Sequence, residues 1–144
     1  MRYDPRLVQP MRDELTRIGF EELTTVAAVD NTLKAESGTV LVVVNSVCGC
    51  AAGRARPGLT LALQEGPRPD KLTTVFAGMD TEATERARSF FVGYGPSSPS
   101  VALFKDGRLV HMMERRDIEG RDADEISAVL RDAFSKHCAP AHAA

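Results

Sequence analysis

The chain has no tryptophan, two tyrosines, three histidines and three cysteines among 144 residues. So few cysteines, and an odd number of them, argue against the disulfide framework of a small secreted domain. Neither charge sign prevails: 18 Lys and Arg stand against 20 Asp and Glu, for a formal net charge of -2. The overall field therefore favours neither nucleic acid nor an anionic membrane, and neither is expected as a partner. The longest apolar run, Val40 to Val44, is far too short to span a bilayer, and the opening MRYDPRLVQP holds no apolar core of signal-peptide length. A reducing cytoplasm is the expected setting, where closely spaced cysteines are more often catalytic or metal-binding than structural. Apolar residues at 43% and charged residues at 26% are near the globular average. The expectation is a single domain over residues 1–144, with 1–37 as an N-terminal helical extension and 138–144 as a flexible tail.

Asp4 before Pro5 is a helix start, and Leu7, Met11, Leu15 and Ile18 recur at helical spacing, which predicts a helix from Pro5 to about Ile18. Residues 21–37 are less decided, because Thr24, Thr25, Val26 and Val29 lower helix propensity; Asp30 to Glu36 is the candidate for a second helix. VLVVVN, Val40 to Asn45, reads as a central strand covered on both faces. A helix from Gly49 to about Gln64 follows, with a kink at Pro57 and Gly58. Leu72 to Ala77 is a second buried strand, and Asp80 or Thr81 caps a helix to about Phe91. Val101 to Lys105, the turn Asp106-Gly107 and Arg108 to Met113 form a hairpin, and Asp122 caps a last helix carrying Ile126, Val129, Leu130 and Phe134. The order is βαβα followed by ββα. A right-handed crossover makes the first two strands parallel and the hairpin appends an antiparallel edge. This is an α/β chain with a mixed sheet of four to five strands and helices on both faces, the layout of the thioredoxin fold.

Cys48 stands where a buried strand passes into a helix, so unpaired N–H groups and the helix dipole favour its thiolate. A free thiol with a pKa of ~8.5 is only about 10% ionised near pH 7.5, so such a place increases the attacking species. A Cys48–Cys50 bond needs the two Cα atoms within roughly 4.4–6.8 Å, hence a turned backbone at Gly49. So small a ring is strained, which points to an oxidising couple or to a mixed disulfide as the main intermediate. Three alternatives stand beside thiol exchange: two inert buried cysteines, a non-catalytic binding module, and a metal or iron–sulfur site using Cys48, Cys50 and one of His137, Cys138 or His142. Zinc ligands usually show wider spacing, such as C-x2-C. A-type iron–sulfur carriers place their CGC near the C-terminus rather than at a mid-chain helix start.

Two stretches carry a family resemblance. SPSVALFKDGRLV, residues 98–110, is similar to the strand of thioredoxins that begins at a cis-proline beside the active-site sulfur, which implies a cis bond at Pro99. CGC replaces the CxxC of thioredoxins, so their mechanism does not transfer whole. GFEELTT, VVVNSVCGCAAGRARP, VFAGMD, PSSPSVALF, IEG and the closing His137-Cys138 occur in the order found in bacilliredoxins, and nearly the whole chain resembles that family. The resemblance implies removal of bacillithiol from S-bacillithiolated client proteins, with disulfide isomerase behaviour reported in the family. It makes Cys48 the nucleophile and Cys50 a candidate resolving residue, with a second bacillithiol as an equal contender. No bound cofactor is implied; bacillithiol is the thiol co-substrate, and a flavin-dependent bacillithiol disulfide reductase is a candidate downstream partner. Bacillithiol carries a malate moiety whose carboxylates need cationic or N–H partners, and Arg54 and Arg56 are the candidates. Gly49, Arg54 and Ser98 are the candidate substrate-binding residues. Asn45 is expected as a polar strand end, Glu114, Arg115, Arg116 and Glu119 as a solvent-facing stretch, and Cys138 as an unreactive terminal thiol.

Overall fold

Every residue of the VLVVVN run is buried, because its strand is the middle one of five. The computed structural model describes residues 3–34 and 37–138. Along the chain these form α1 (Pro5–Thr16), β1 (Glu21–Glu22), α2 (Val26–Leu33), β2 (Thr39–Asn45), a π-helical turn (Ala51–Ala55) running into α3 (Arg56–Ala62), β3 (Lys71–Phe76), α4 (Thr81–Arg88), β4 (Ser100–Lys105), β5 (Arg108–Met113), α5 (Arg115–Glu119) and α6 (Ala123–His137). The sheet order is β1-β3-β2-β4-β5. β1 and β2 flank β3 in parallel, β4 runs antiparallel to β2, and β5 antiparallel to β4.

Alternation along β2 divides the apolar residues between two cores. Leu41 and Val43 face Leu15, Leu59, Ile126 and Phe134, from α1, α3 and α6. Val40, Val42 and Val44 face Val29, Leu33, Ala83 and Ala87, from α2 and α4. Helices therefore cover both faces, and the C-terminal end of β2 opens between them at Asn45.

The N-terminal segment departs from a purely helical extension. Glu21 and Glu22 form an edge strand paired with Thr73 and Thr74, and nothing in two glutamates announces a strand. The second helix starts at Val26, earlier than the expected Asp30, because Thr25 Oγ1 accepts from the Ala28 N–H and burial of Val29 and Leu33 outweighs their lower propensity. It ends at Leu33; Glu36 lies outside the described residues. The expected kink at Pro57 and Gly58 takes another form. Pro57 has no N–H to give, and the turn before it widens to a π-helical register, with the Arg56 N–H reaching the Ala51 carbonyl. Gly58 serves a close approach: a Cβ there would lie 2.6 Å from Ile126 Cγ2 on α6. Of the expected tail, Cys138 is buried and residues 139–144 lie outside the described part.

Candidate active site

β2 ends at Asn45, two residues cross the end of the sheet, and Cys48 closes the loop against a helix start. The Cys48 carbonyl accepts the N–H groups of Ala51 and Ala52 at 3.0 and 3.2 Å. Its Sγ accepts the Cys50 N–H at 3.3 Å, the place where a capping oxygen usually sits. Ser46 Oγ in turn accepts the Cys48 N–H at 3.3 Å. All three cysteines are free; Cys48 and Cys50 are half-buried and Cys138 is buried.

These surroundings drive the two thiols apart. Burial pushes Cys48 up, but the Cys50 N–H and thiol, the Arg115 charge and the Ala51 N–H together outweigh it and hold Cys48 below the ordinary thiol range. Cys50 moves the other way, raised by burial and by the negative sulfur of Cys48. The arrangement favours a thiolate at Cys48 beside a protonated Cys50, an attacking group next to a reserve one.

Beneath the loop lies a buried arginine. Arg56, 2% exposed, donates from Nη1 to Asn45 Oδ1 at 2.9 Å and to the Ser46 carbonyl at 3.0 Å. Its Nε lies 3.1 Å from Glu14 Oε2 without hydrogen-bond alignment. Asn45 completes the brace by accepting the Ser46 N–H and donating to the Met11 carbonyl. Arg56 is therefore a support of the cysteine loop and not, as expected, a cation open to substrate. Arg54 is not at the site either: its Nη1 donates to the Arg121 carbonyl at 2.6 Å, which ties it to the start of α6.

A cleft of about 250 Å³ adjoins Cys48, lined also by Tyr3, Ser46, Gly78, Ser98 and Arg115. The Ser98–Pro99 bond is cis. Gly49 is exposed with ordinary helical backbone, and a Cβ built on it meets nothing within 4 Å, so the flank of the sulfur is open. The stretch expected to face solvent does so at Arg115, Arg116 and Glu119, and it forms a short helix, α5, whose start is fixed by reciprocal bonds between Glu114 and Asp117. It delivers Arg115 into the cleft, and sequence reasoning missed that residue. The Glu114-x-x-Asp117 spacing could have signalled the helix; nothing local signals the cleft. A larger hollow of about 570 Å³ lies along β5 by Phe90, Tyr94 and His111, away from both cysteines of the pair.

Cys138 stands at the other end of the sheet, near Thr39, and burial raises its thiol. It does not join Cys48 and Cys50. His142 lies outside the described residues, and among those described no group of three His, Cys, Asp or Glu side chains could hold a metal ion. None of the described helices is long and apolar enough to cross a membrane.

Comparison with known proteins matches residues 3–138 to the family model described as Disulphide isomerase. The chain is 54% identical over 136 residues to a bacilliredoxin of Koribacter versatilis (strain Ellin345), covering 94% of each. It is 52% identical over 137 residues to one of Bacillus licheniformis, covering 94% of this chain and 95% of that one. Among solved structures it is similar to oxidized mitochondrial thioredoxin 3 of Saccharomyces cerevisiae, with a TM-score of 0.53 and 18% identity over 85% of this chain and 98% of that one. Thioredoxin O2 of Arabidopsis thaliana gives 0.55 and 17% over 82% and 96%. At those identities the likeness establishes the thioredoxin fold.

Proposed function

The chain belongs to the bacilliredoxins within the disulphide isomerase family and is a thiol-disulfide oxidoreductase, and on that footing we propose that it removes bacillithiol from S-bacillithiolated client proteins through Cys48. The observation that carries the reading is the Cys48 sulfur itself, capping a helix start with the Cys50 N–H at 3.3 Å and opening onto a cleft beside Ser98. A sulfur so placed is reachable, and its thiolate is favoured.

The Cys48 thiolate attacks the bacillithiol sulfur of the client mixed disulfide. The old S–S bond breaks, its electron pair leaves on the client sulfur, and Cys48 carries the bacillithiol. Two routes then clear it. Cys50 attacks Cys48 and releases bacillithiol, leaving a Cys48–Cys50 disulfide. Alternatively a second bacillithiol thiolate attacks the bound one, regenerating Cys48 and yielding bacillithiol disulfide, the substrate for a flavin-dependent reductase. The helical backbone of Cys50 supports the first route, since it supplies the turn a two-residue spacing needs. Attack of the same thiolate on a misbridged client would give disulfide isomerisation. The reading takes a reducing cytoplasm as the setting and no bound cofactor.

Mass spectrometry after mixing the reduced protein with an S-bacillithiolated client tests this. The expected result is one bacillithiol on Cys48, release of the client thiol, and loss of both in Cys48→Ser. An unmodified protein beside an unchanged client would overturn the proposal. Full turnover of Cys50→Ala with bacillithiol present would assign resolution to the second thiol.

A further inference from the structure

Of the residues lining the cleft beside Cys48, Arg115 alone is charged and Tyr3 alone is aromatic. Arg115 Nε donates to Glu119 Oε1 at 2.8 Å, and its Nη1 stands 3.5 Å from the Ser98 carbonyl. The Arg115 N–H reaches Ser97 Oγ at 3.4 Å. Two of the three guanidinium nitrogens are thus engaged, Nε by its own helix and Nη1 by the residue before Pro99. Nη2 has no partner among the described residues, and the side chain is 47% exposed. A planar cation held at two nitrogens with the third open suits an oxygen of a carboxylate. Tyr3, whose ring packs on Gly78, adds an apolar surface for the uncharged body of a ligand.

We propose that Arg115 is the carboxylate-binding residue of this cleft and selects acidic small thiols over neutral ones as the group exchanged at Cys48. The inference deepens the bacillithiol reading and rests on it. It moves the expected role from Arg54 and Arg56, one tied to the Arg121 carbonyl and the other buried beneath the loop, to Arg115, 61 and 59 positions further along the chain. Glu119 opposes the same selection. Its carboxylate pairs with Arg115 Nε and offsets part of the positive charge that would attract a dicarboxylate ligand at Nη2, so it weakens the binding of such a ligand while it orients the guanidinium.

The test compares two mixed disulfides of one client peptide, the first with mercaptosuccinate as an acidic thiol, the second with 2-mercaptoethanol as a neutral one. The readout is the ratio of their exchange rates, in which any change in Cys48 nucleophilicity cancels. Arg115→Ala is expected to lower the acidic-to-neutral ratio about tenfold or more, the scale of a lost charge-assisted hydrogen bond. Arg115→Lys should restore part of it, and raised salt should shrink it in the wild type. Glu119→Gln keeps an acceptor for Nε and removes the charge, so the ratio should rise. Two rates that fall together in Arg115→Ala, with the ratio unchanged, would overturn the inference and leave Arg115 acting on the Cys48 thiolate alone. Failure of the wild type to exchange either disulfide would overturn the bacillithiol reading and this inference together.

Discussion

Replacing Arg56 by Met removes the buried guanidinium and keeps most of the apolar stem, so the change isolates the polar brace under the cysteine loop. The Ser46 carbonyl loses its bond to Nη1 in a buried place, at about 1–3 kcal/mol for an unsatisfied acceptor. Asn45 Oδ1 loses one of two donors but keeps the Ser46 N–H, which adds roughly 0.5–1.5 kcal/mol. Glu14 is 42% exposed and is rehydrated on losing its partner, so that pair counts for no more than about 1 kcal/mol. The expected loss is about 2–4 kcal/mol. At ~2–4 °C per kcal/mol for a chain of this size, the melting temperature should fall by roughly 4–16 °C.

Thermal unfolding followed by circular dichroism measures this, and the pH profile of Cys48 alkylation gives a second readout. Ser46 is the link: its carbonyl is held by Arg56 while its Oγ accepts the Cys48 N–H. Freed from the brace, the loop should hold the sulfur less firmly over the helix start, and the alkylation midpoint should move up towards that of an ordinary thiol. Arg54→Met, which gives up one bond to a carbonyl, is the control and should shift melting by less. A melting change under about 2 °C in Arg56→Met, with the alkylation profile unaltered, would refute the reasoning.

The three cysteines should separate in a labelling experiment. Iodoacetamide should modify Cys48 first and with a midpoint below the ordinary thiol range, Cys50 later, and Cys138 only on unfolding; equal rates at all three would contradict the site geometry. Because the folded value of Cys48 is depressed, its thiolate stabilises the fold fully above the unfolded thiol's pKa, and that contribution is lost as pH falls through the folded value. Reduced wild type should therefore show a step in stability on acidification that Cys48→Ser lacks. On α3, Gly58→Ala would set a methyl 2.6 Å from Ile126 Cγ2. Overpacking at about 1–3 kcal/mol exceeds the ~1 kcal/mol that alanine gains over glycine in a helix. Net destabilisation is expected in urea unfolding, and an unchanged or higher midpoint would mean that α3 and α6 are less closely packed than they stand here.

What the sequence conveys depends on whether neighbours in the chain are neighbours in space. β2 is legible because five consecutive apolar residues suit only a covered strand, and Cys48 is legible because it follows that strand directly. β1 is not, since Glu21 and Glu22 pair with β3 through their backbones and their side chains say nothing of it. Arg54 and Arg56 look alike in GRARP, yet two residues along a helix is roughly half a turn around it, so one turns to the α6 start and the other to the core. Composition also misleads there, because arginine is almost never fully buried unless paired. Arg115 is hidden by distance along the chain: only closure of the β4–β5 hairpin brings it back to the end of β2.

The same end of β2 explains why two cysteines one residue apart are not equivalent. Cys48 sits before the first helical residue and receives N–H groups; Cys50 sits inside the first turn, half-buried beside that sulfur. The charge on Cys48 is one of the causes that keep Cys50 protonated. Under the proposed route, capture of bacillithiol turns Cys48 into a neutral disulfide sulfur and removes that cause at the moment a resolving thiolate is required. Burial of Cys50 remains, so its ionisation is eased rather than made complete, and an incoming bacillithiol competes for the mixed disulfide. The choice between the two routes then becomes a matter of thiol concentration. Cys50→Ala should matter most when bacillithiol is scarce and least when it is abundant, and a defect independent of bacillithiol concentration would break this link between the charge on Cys48 and the function of Cys50.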